Sequence, residues 1–110
     1  MAAAAQREGD IGIIYVTEIV EPEGDQFVSY CRELGTTSCG DTVDEAFKNL
    51  DEAIGVHLEA LLEIGELHQF LRERNINIVV APDDDLQELN LPVPLGKILS
   101  VAQHSVPVFA

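Results

Sequence analysis

The sequence predicts an α+β domain: a three-stranded antiparallel meander, a long helix with a short second helix behind it, a fourth strand returning parallel to the first, and an extended apolar C-terminal segment. Three observations predict it. The run from Ile11 to Val20 is β-branched and aromatic and is apolar enough for a central strand. Two shorter strand-like runs follow it at turn-length spacing. From Gly40 to Gly65 the period then changes from two residues to three and four, the signature of a helix packed on a sheet.

In the first turn, Glu21, Pro22, Glu23, Gly24 and Asp25 supply the turn chemistry, and Gln26 to Arg32 alternates around Phe27, Val28 and Tyr30 as the second strand. Glu33, Leu34 and Gly35 turn the chain again, and Thr36 to Cys39 makes a short third strand that feeds the helix. The helix start is overdetermined. Thr42 and Glu45 have capping-box spacing, in which the hydroxyl accepts from the Glu45 amide and the glutamate reaches back to the Thr42 amide. Asp41, Asp44 and Glu45 put negative charge where the helix dipole is positive, and Gly40 frees the backbone to turn. Val43, Phe47, Leu50, Ile54, His57, Leu61 and Ile64 form the apolar stripe, widened by Ala46, Ala53 and Leu58. Gly65 is a stop, after which Leu67, Phe70 and Leu71 continue in a shorter helix.

Ile76 to Val80 reads as the fourth strand, and a helical crossover allows it to pair parallel with the first. Beyond it, Asp83 to Asp85 cap a helical turn, Ile98 to Ala102 is a short helix or an extended piece, and Val106, Val108 and Phe109 form a last strand that Pro107 confines to an edge. The expected organisation is a disordered tail over 1–10, the folded domain over 11–80 and a C-terminal extension over 81–110. Leu91, Val93, Val106, Val108 and Phe109 in that extension are candidate contacts of a homo-oligomer, because they are more contiguous apolar surface than a small monomer leaves open.

Charge narrows the function. Six Lys and Arg face 20 Asp and Glu, a net charge of −14, which repels phosphate backbones and anionic membranes and favours a basic protein partner. Only Arg72 and Arg74 lie close together, so no nucleic-acid patch can be drawn and direct nucleic-acid binding is not expected. No run approaches the ~20 apolar residues of a membrane span, and Met1 to Ala5 lacks signal-peptide regions, so a cytoplasmic protein is expected. Cys31 and Cys39 are too few for a disulfide framework and read as reduced thiols, with a cross-strand disulfide as the alternative if the turn between them is tight.

Over residues 11–80 the sequence resembles the HicB-like antitoxin family. Tyr30, Glu33, Leu34, Gly35, Gly40, Asp41, Thr42, Glu45, Ala46, Asn49, Leu50, Glu52, Ala53, Leu58 and Glu59 carry the resemblance, as an ordered set spanning a strand end, a Gly-Asp-Thr helix start and the helix itself. The resemblance implies a partial ribonuclease-H-like fold without nuclease chemistry, used in prokaryotic toxin–antitoxin systems to block a small basic HicA-like toxin that cleaves messenger RNA. Arg32 stands where the family often has proline, and His57 where it commonly has tyrosine. Residues 81–110 lack the basic charge and periodicity of the DNA-binding segment that many relatives carry.

Within that reading, Tyr30, Glu33, Asp41, Glu21 and Asp25 are the candidate partner contacts, with no catalytic, cofactor or metal residues expected. A metal nuclease needs carboxylates converging from the first strand, the helix and a later strand end. Ile13 to Thr17 offers none; Glu18, with Glu45 or Glu52 and Asp83, completes such a set only on paper. His57, His68 and His104 are far apart in sequence and lack triad companions, and His57 reads as a residue at the margin of the core.

Overall fold

The computed structural model describes residues 11–80 and 97–108. The expected tail over 1–10, the cap at Asp83 to Asp85, and Leu91, Val93 and Phe109 lie outside these residues. The described elements are β1 (Ile11–Glu23), β2 (Gln26–Cys31), β3 (Thr37–Gly40), α1 (Val43–Glu63), α2 (Leu67–Glu73), β4 (Val79–Val80) and β5 (Ile98–Pro107). The fold is α+β, with the two helices after a three-stranded meander as the sequence predicts.

β1 organises the sheet because both of its hydrogen-bonding edges are used. β5 pairs antiparallel with Ile11 to Val20 without interruption along one edge. The opposite edge is divided, with β2 at Glu18 to Glu23 and β4 at Gly12 and Ile13. Between them, the turn after β2 supplies what a strand would: Arg32 N–H donates to the Thr17 carbonyl at 3.0 Å, and Thr17 N–H donates to Glu33 Oε1 at 2.7 Å. The Thr17 hydroxyl donates to the other Glu33 oxygen at 2.9 Å. A buried strand edge seldom leaves its donors unpaired, and at Thr17 one carboxylate takes the place of a neighbouring strand.

The parallel return expected of the fourth strand is not found: β4 is antiparallel to β1 and only two residues long. The reason is an extra reversal. A single helix delivers a chain for parallel pairing, but α1 ends at Gly65 (φ 75°), where Gly65 N–H donates to the Leu62 carbonyl and Glu66 N–H to the Leu61 carbonyl. α2 then runs back, and the same pair of bonds recurs at Asn75 (φ 57°), from Asn75 N–H to Arg72 O and from Ile76 N–H to Leu71 O. Two such turns bring the chain in from the opposite direction.

β5 belongs to the same sheet as β1, so residues 98–107 are a component of the domain and not an appendage to it. Val106, expected at an oligomer contact, is 1% exposed inside this chain's own core, where it belongs to the same buried cluster as Ile14 and Ile76. Val108 is half-buried beside Gly12. Ile98 to Ala102, left open between helix and strand by the sequence, is extended. Along the outer edge of β5 no strand pairs among the described residues, which is where Pro107 is tolerated.

α1 covers one face of this sheet. Ala46, Leu50, Ile54 and Leu58 are its buried residues, and the last three pack in one cluster with Ile14, Val16, Cys31, Leu34, Leu67, Leu71, Ile76 and Val106. The buried row runs at strict steps of four, so Leu58 is central to the stripe, whereas Ile64 caps the helix and stands exposed. His57 sits at the margin, as expected, sharing a 3.1 Å hydrogen bond with the Thr36 hydroxyl and meeting Phe70 edge-on at 5.3 Å. The Thr42 hydroxyl accepts from Glu45 N–H at 3.1 Å, but the reciprocal bond comes from Asp41 N–H and not from Thr42. Gly40 matters for space more than for backbone freedom, since a Cβ there would lie 2.6 Å from the Ala46 nitrogen.

These contacts rank three substitutions. Thr42→Ala should cost about 1 kcal/mol by removing one half of the cap. Gly40→Ala, which forces β3 away from the backbone of α1, should cost about 1–3 kcal/mol, and Leu50→Ala about 2–5 kcal/mol. Urea unfolding of the three variants measures the order directly.

Candidate functional site

Two regions of the surface carry polar groups that the fold itself does not use. The first lies under the N-terminal half of α1. Side chains at Glu18 of β1 and at Ser100, Ala102 and His104 of β5 point to the helix-covered face, as the ladder pairs Glu18 with Ser100, Val16 with Ala102 and Ile14 with His104. Ser100 and Ala102 are small, so β5 leaves a gap there below Phe47, Asp51 and Glu52 of α1. The result is a groove of about 710 Å³ lined by those residues together with Val101 and Gln103.

Three titratable groups converge at its floor. His104 Nε2 lies 3.4 Å from Asp51 Oδ1 and 3.8 Å from Glu18 Oε2, and one ligand atom from each of the three lies within 4.8 Å of the others. Glu18 is 2% exposed. Its Oε2 and the His104 Nε2 are buried and have no hydrogen-bond partner among the described residues. Burial pushes the Glu18 carboxyl above the usual range, His104 opposing that shift and the Asp51 carboxylate adding to it.

The sequence points to no metal residues and sets aside Glu18 with Glu45 or Glu52 and Asp83; of these, the structure places Glu18 and Glu52 at this groove. Glu45 is taken up by the helix cap, Glu52 lines the groove, and Asp83 lies outside the described residues. His104 was missed because its place depends on the register of β5 against β1. Once β5 is extended, the same-face alternation Ser100, Ala102, His104, Val106 is the signal that finds it.

The second region is the sheet face that no described helix covers. It carries Tyr15, Ile19, Glu21, Val28, Tyr30, Leu99 and Val101, whose ladder partners place them together. Ile19, paired with Tyr30 and Leu99, is 5% exposed, while Val101 is 39% exposed. Lys97 Nζ bridges to Glu21 at 3.1 Å and donates to the Tyr30 hydroxyl at 3.3 Å, and these two partners, Glu21 foremost, hold its pKa above the ordinary value.

Among the five partner candidates, the structure brings most to one part of the molecule. The row Pro22, Phe27, Gly40 places Asp41 at the same end of the sheet as Glu23 and Asp25, with Glu21 two residues inward. Tyr30 lies on the adjoining helix-free face. Glu33 does not belong with them: both oxygens of its carboxylate are committed to Thr17, so it is a structural residue.

Both cysteines are free thiols, Cys31 buried and Cys39 exposed. Burial raises the Cys31 pKa to about 11. In comparisons with known proteins, no family model, curated protein or solved structure matches the chain.

Two measurements check this geometry. Glu33→Ala strands the Thr17 donors and should cost about 1–3 kcal/mol, read as a lower melting temperature. Cys39 should react promptly with a chromogenic disulfide reagent at neutral pH, and Cys31 only on denaturation; rapid labelling of both in the folded protein would contradict the buried position of β2.

Proposed function

We propose that the protein is a non-catalytic, antitoxin-type module that binds and neutralises a small basic HicA-like toxin that cleaves messenger RNA. The observation that carries this reading is the sheet face that no helix covers among the described residues, where Tyr30 and Val28, with Val101 farther along it, share a surface with the acidic end formed by Glu21, Glu23, Asp25 and Asp41. An apolar surface bordered by carboxylates suits a basic protein: the carboxylates speed the encounter and stand where RNA phosphates would otherwise bind, while apolar contact holds the complex. The residues of the resemblance add the class of partner.

A second reading rests on the outer edge of β5, along which no strand pairs among the described residues, with Ile98 45% exposed beside it. An open strand edge is a template for another copy of the chain, which would make the protein a self-assembling regulator.

The test starts from the reading frames adjacent to this chain's own: a short basic product encoded there is purified and assayed for RNA cleavage, and the lack of one favours the second reading. Added chain should abolish cleavage. Combined reversal of Asp25 and Asp41 to lysine, together with Tyr30→Ala, should weaken inhibition, with the association rate falling steeply as salt is raised. Glu33 is left intact, since its loss would lower stability for another reason. A triple variant that inhibits as well as the parent moves the interface elsewhere; no inhibition by the parent, with a concentration-dependent mass in light scattering, favours the second reading.

A further inference from the structure

We propose that Glu18, Asp51 and His104 form a binding site for one divalent transition-metal ion, with Zn²⁺ the ion that fits best. The argument begins with the spacing. A direct hydrogen bond between an imidazole and a carboxylate spans about 2.7–3.2 Å. Two hydrogen bonds through a bridging water need roughly 4.5 Å or more. The observed 3.4 and 3.8 Å fall between these lengths. The shorter matches two ligands of one ion, since bonds of about 2.0–2.2 Å at a tetrahedral angle separate ligand atoms by roughly 3.3–3.6 Å, and the longer lies a few tenths of an ångström beyond, within the reach of a small side-chain adjustment.

Burial is the second, independent observation. Glu18 is 2% exposed, and its Oε2 is directed at the cluster with no hydrogen bond among the described residues. His104 Nε2 is in the same condition, its side chain 13% exposed. A buried carboxylate oxygen and a buried ring nitrogen without partners are costly, and two of them facing one point call for a common cation. Asp51, with 48% of its side chain exposed, closes the third side from α1.

Ligand chemistry selects the ion. An imidazole with two carboxylates suits zinc and its first-row neighbours, whereas Mg²⁺ and Ca²⁺ prefer oxygen and higher coordination numbers. Three protein ligands leave a fourth position open on the groove side, to water or to Glu52. Bound there, the ion ties α1 to β1 and β5 at once. This inference is independent of the toxin-binding reading, which concerns the other face of the sheet.

Calorimetric titration of the metal-free full chain with Zn²⁺, in a millimolar excess of Mg²⁺, tests it. One equivalent per chain should bind and raise the melting temperature, and Co²⁺ in its place should give visible absorption bands of tetrahedral intensity. Outer groups alone alter metal affinity about 10–100-fold, so removal of a ligand in His104→Ala or Asp51→Asn should weaken binding by about 100-fold or more. Asp51 is exposed enough that its loss leaves the fold intact, which keeps the test valid if the His104 variant is unstable. Glu59→Gln, an exposed carboxylate elsewhere on α1, should bind as the parent does. Equal weakening by Glu59→Gln, unchanged affinity in Asp51→Asn, or no saturable equivalent in the parent would each overturn the site in favour of diffuse attraction to an acidic surface.

Discussion

A strand has two edges, and a β1 of 13 residues sets more backbone donors and acceptors than one neighbour can satisfy. The arrangement of the other elements follows from that constraint. β5 takes one edge from Ile11 to Val20, while β2 and β4 share the other and stop short of meeting. Glu33 closes the interval by bonding Thr17 through both oxygens. A carboxylate accepting from a backbone amide in a partly buried position is stronger than a neutral bond, so the interruption is bridged without another strand. The loop that carries Glu33 also carries Leu34, 2% exposed, which anchors the same turn in the core.

Much of this was readable from the residues because it is local. The helix start, the change to a three-and-four period, the β1–β2 hairpin and the stop at Gly65 are each specified by neighbours a few positions apart, although the buried row settles on Ala46, Leu50, Ile54 and Leu58 and not on the whole stripe read from the sequence. What failed was non-local. The direction of β4 turned on a second reversal at Asn75, which takes the left-handed conformation more readily than most residues but gives no clear signal in a short polar stretch. The place of β5 turned on its pairing with a strand about 90 positions earlier. The cluster under α1 inherits that difficulty, since Glu18, Asp51 and His104 come from three elements and share no motif. Glu33 shows the converse error: an acidic residue in a turn reads as surface charge, and only the tertiary structure reveals what its oxygens accept.

The excess of acid is therefore not one property. At the hairpin end, Glu23, Asp25 and Asp41 are exposed, and their charge acts outward on what approaches. Under the helix, Glu18 is shut away from water, where its charge acts on the protein's own folding and on whatever reaches the groove. Lys97, one of only six basic residues, is spent on Glu21 and Tyr30 at the border between these regimes. The two regions lie on opposite faces of one sheet and meet only along β5, where Val101 borders both.

The pairing of β1 with β5 also bears on the order in which the molecule is assembled. Ile11 must find Pro107, and the search spans the meander and both helices. Contacts of such separation are made late and slowly, since the entropy of closing the intervening chain is lost before any ladder bond rewards it. During synthesis, β1, β2, β3 and α1 emerge together and can settle against one another while one edge of β1 still faces solvent. An apolar strand in that condition is prone to pair with a second nascent chain. The last strand to arrive thus serves as the guard of the first, and the interval before it docks is the period in which this protein is most vulnerable to aggregation.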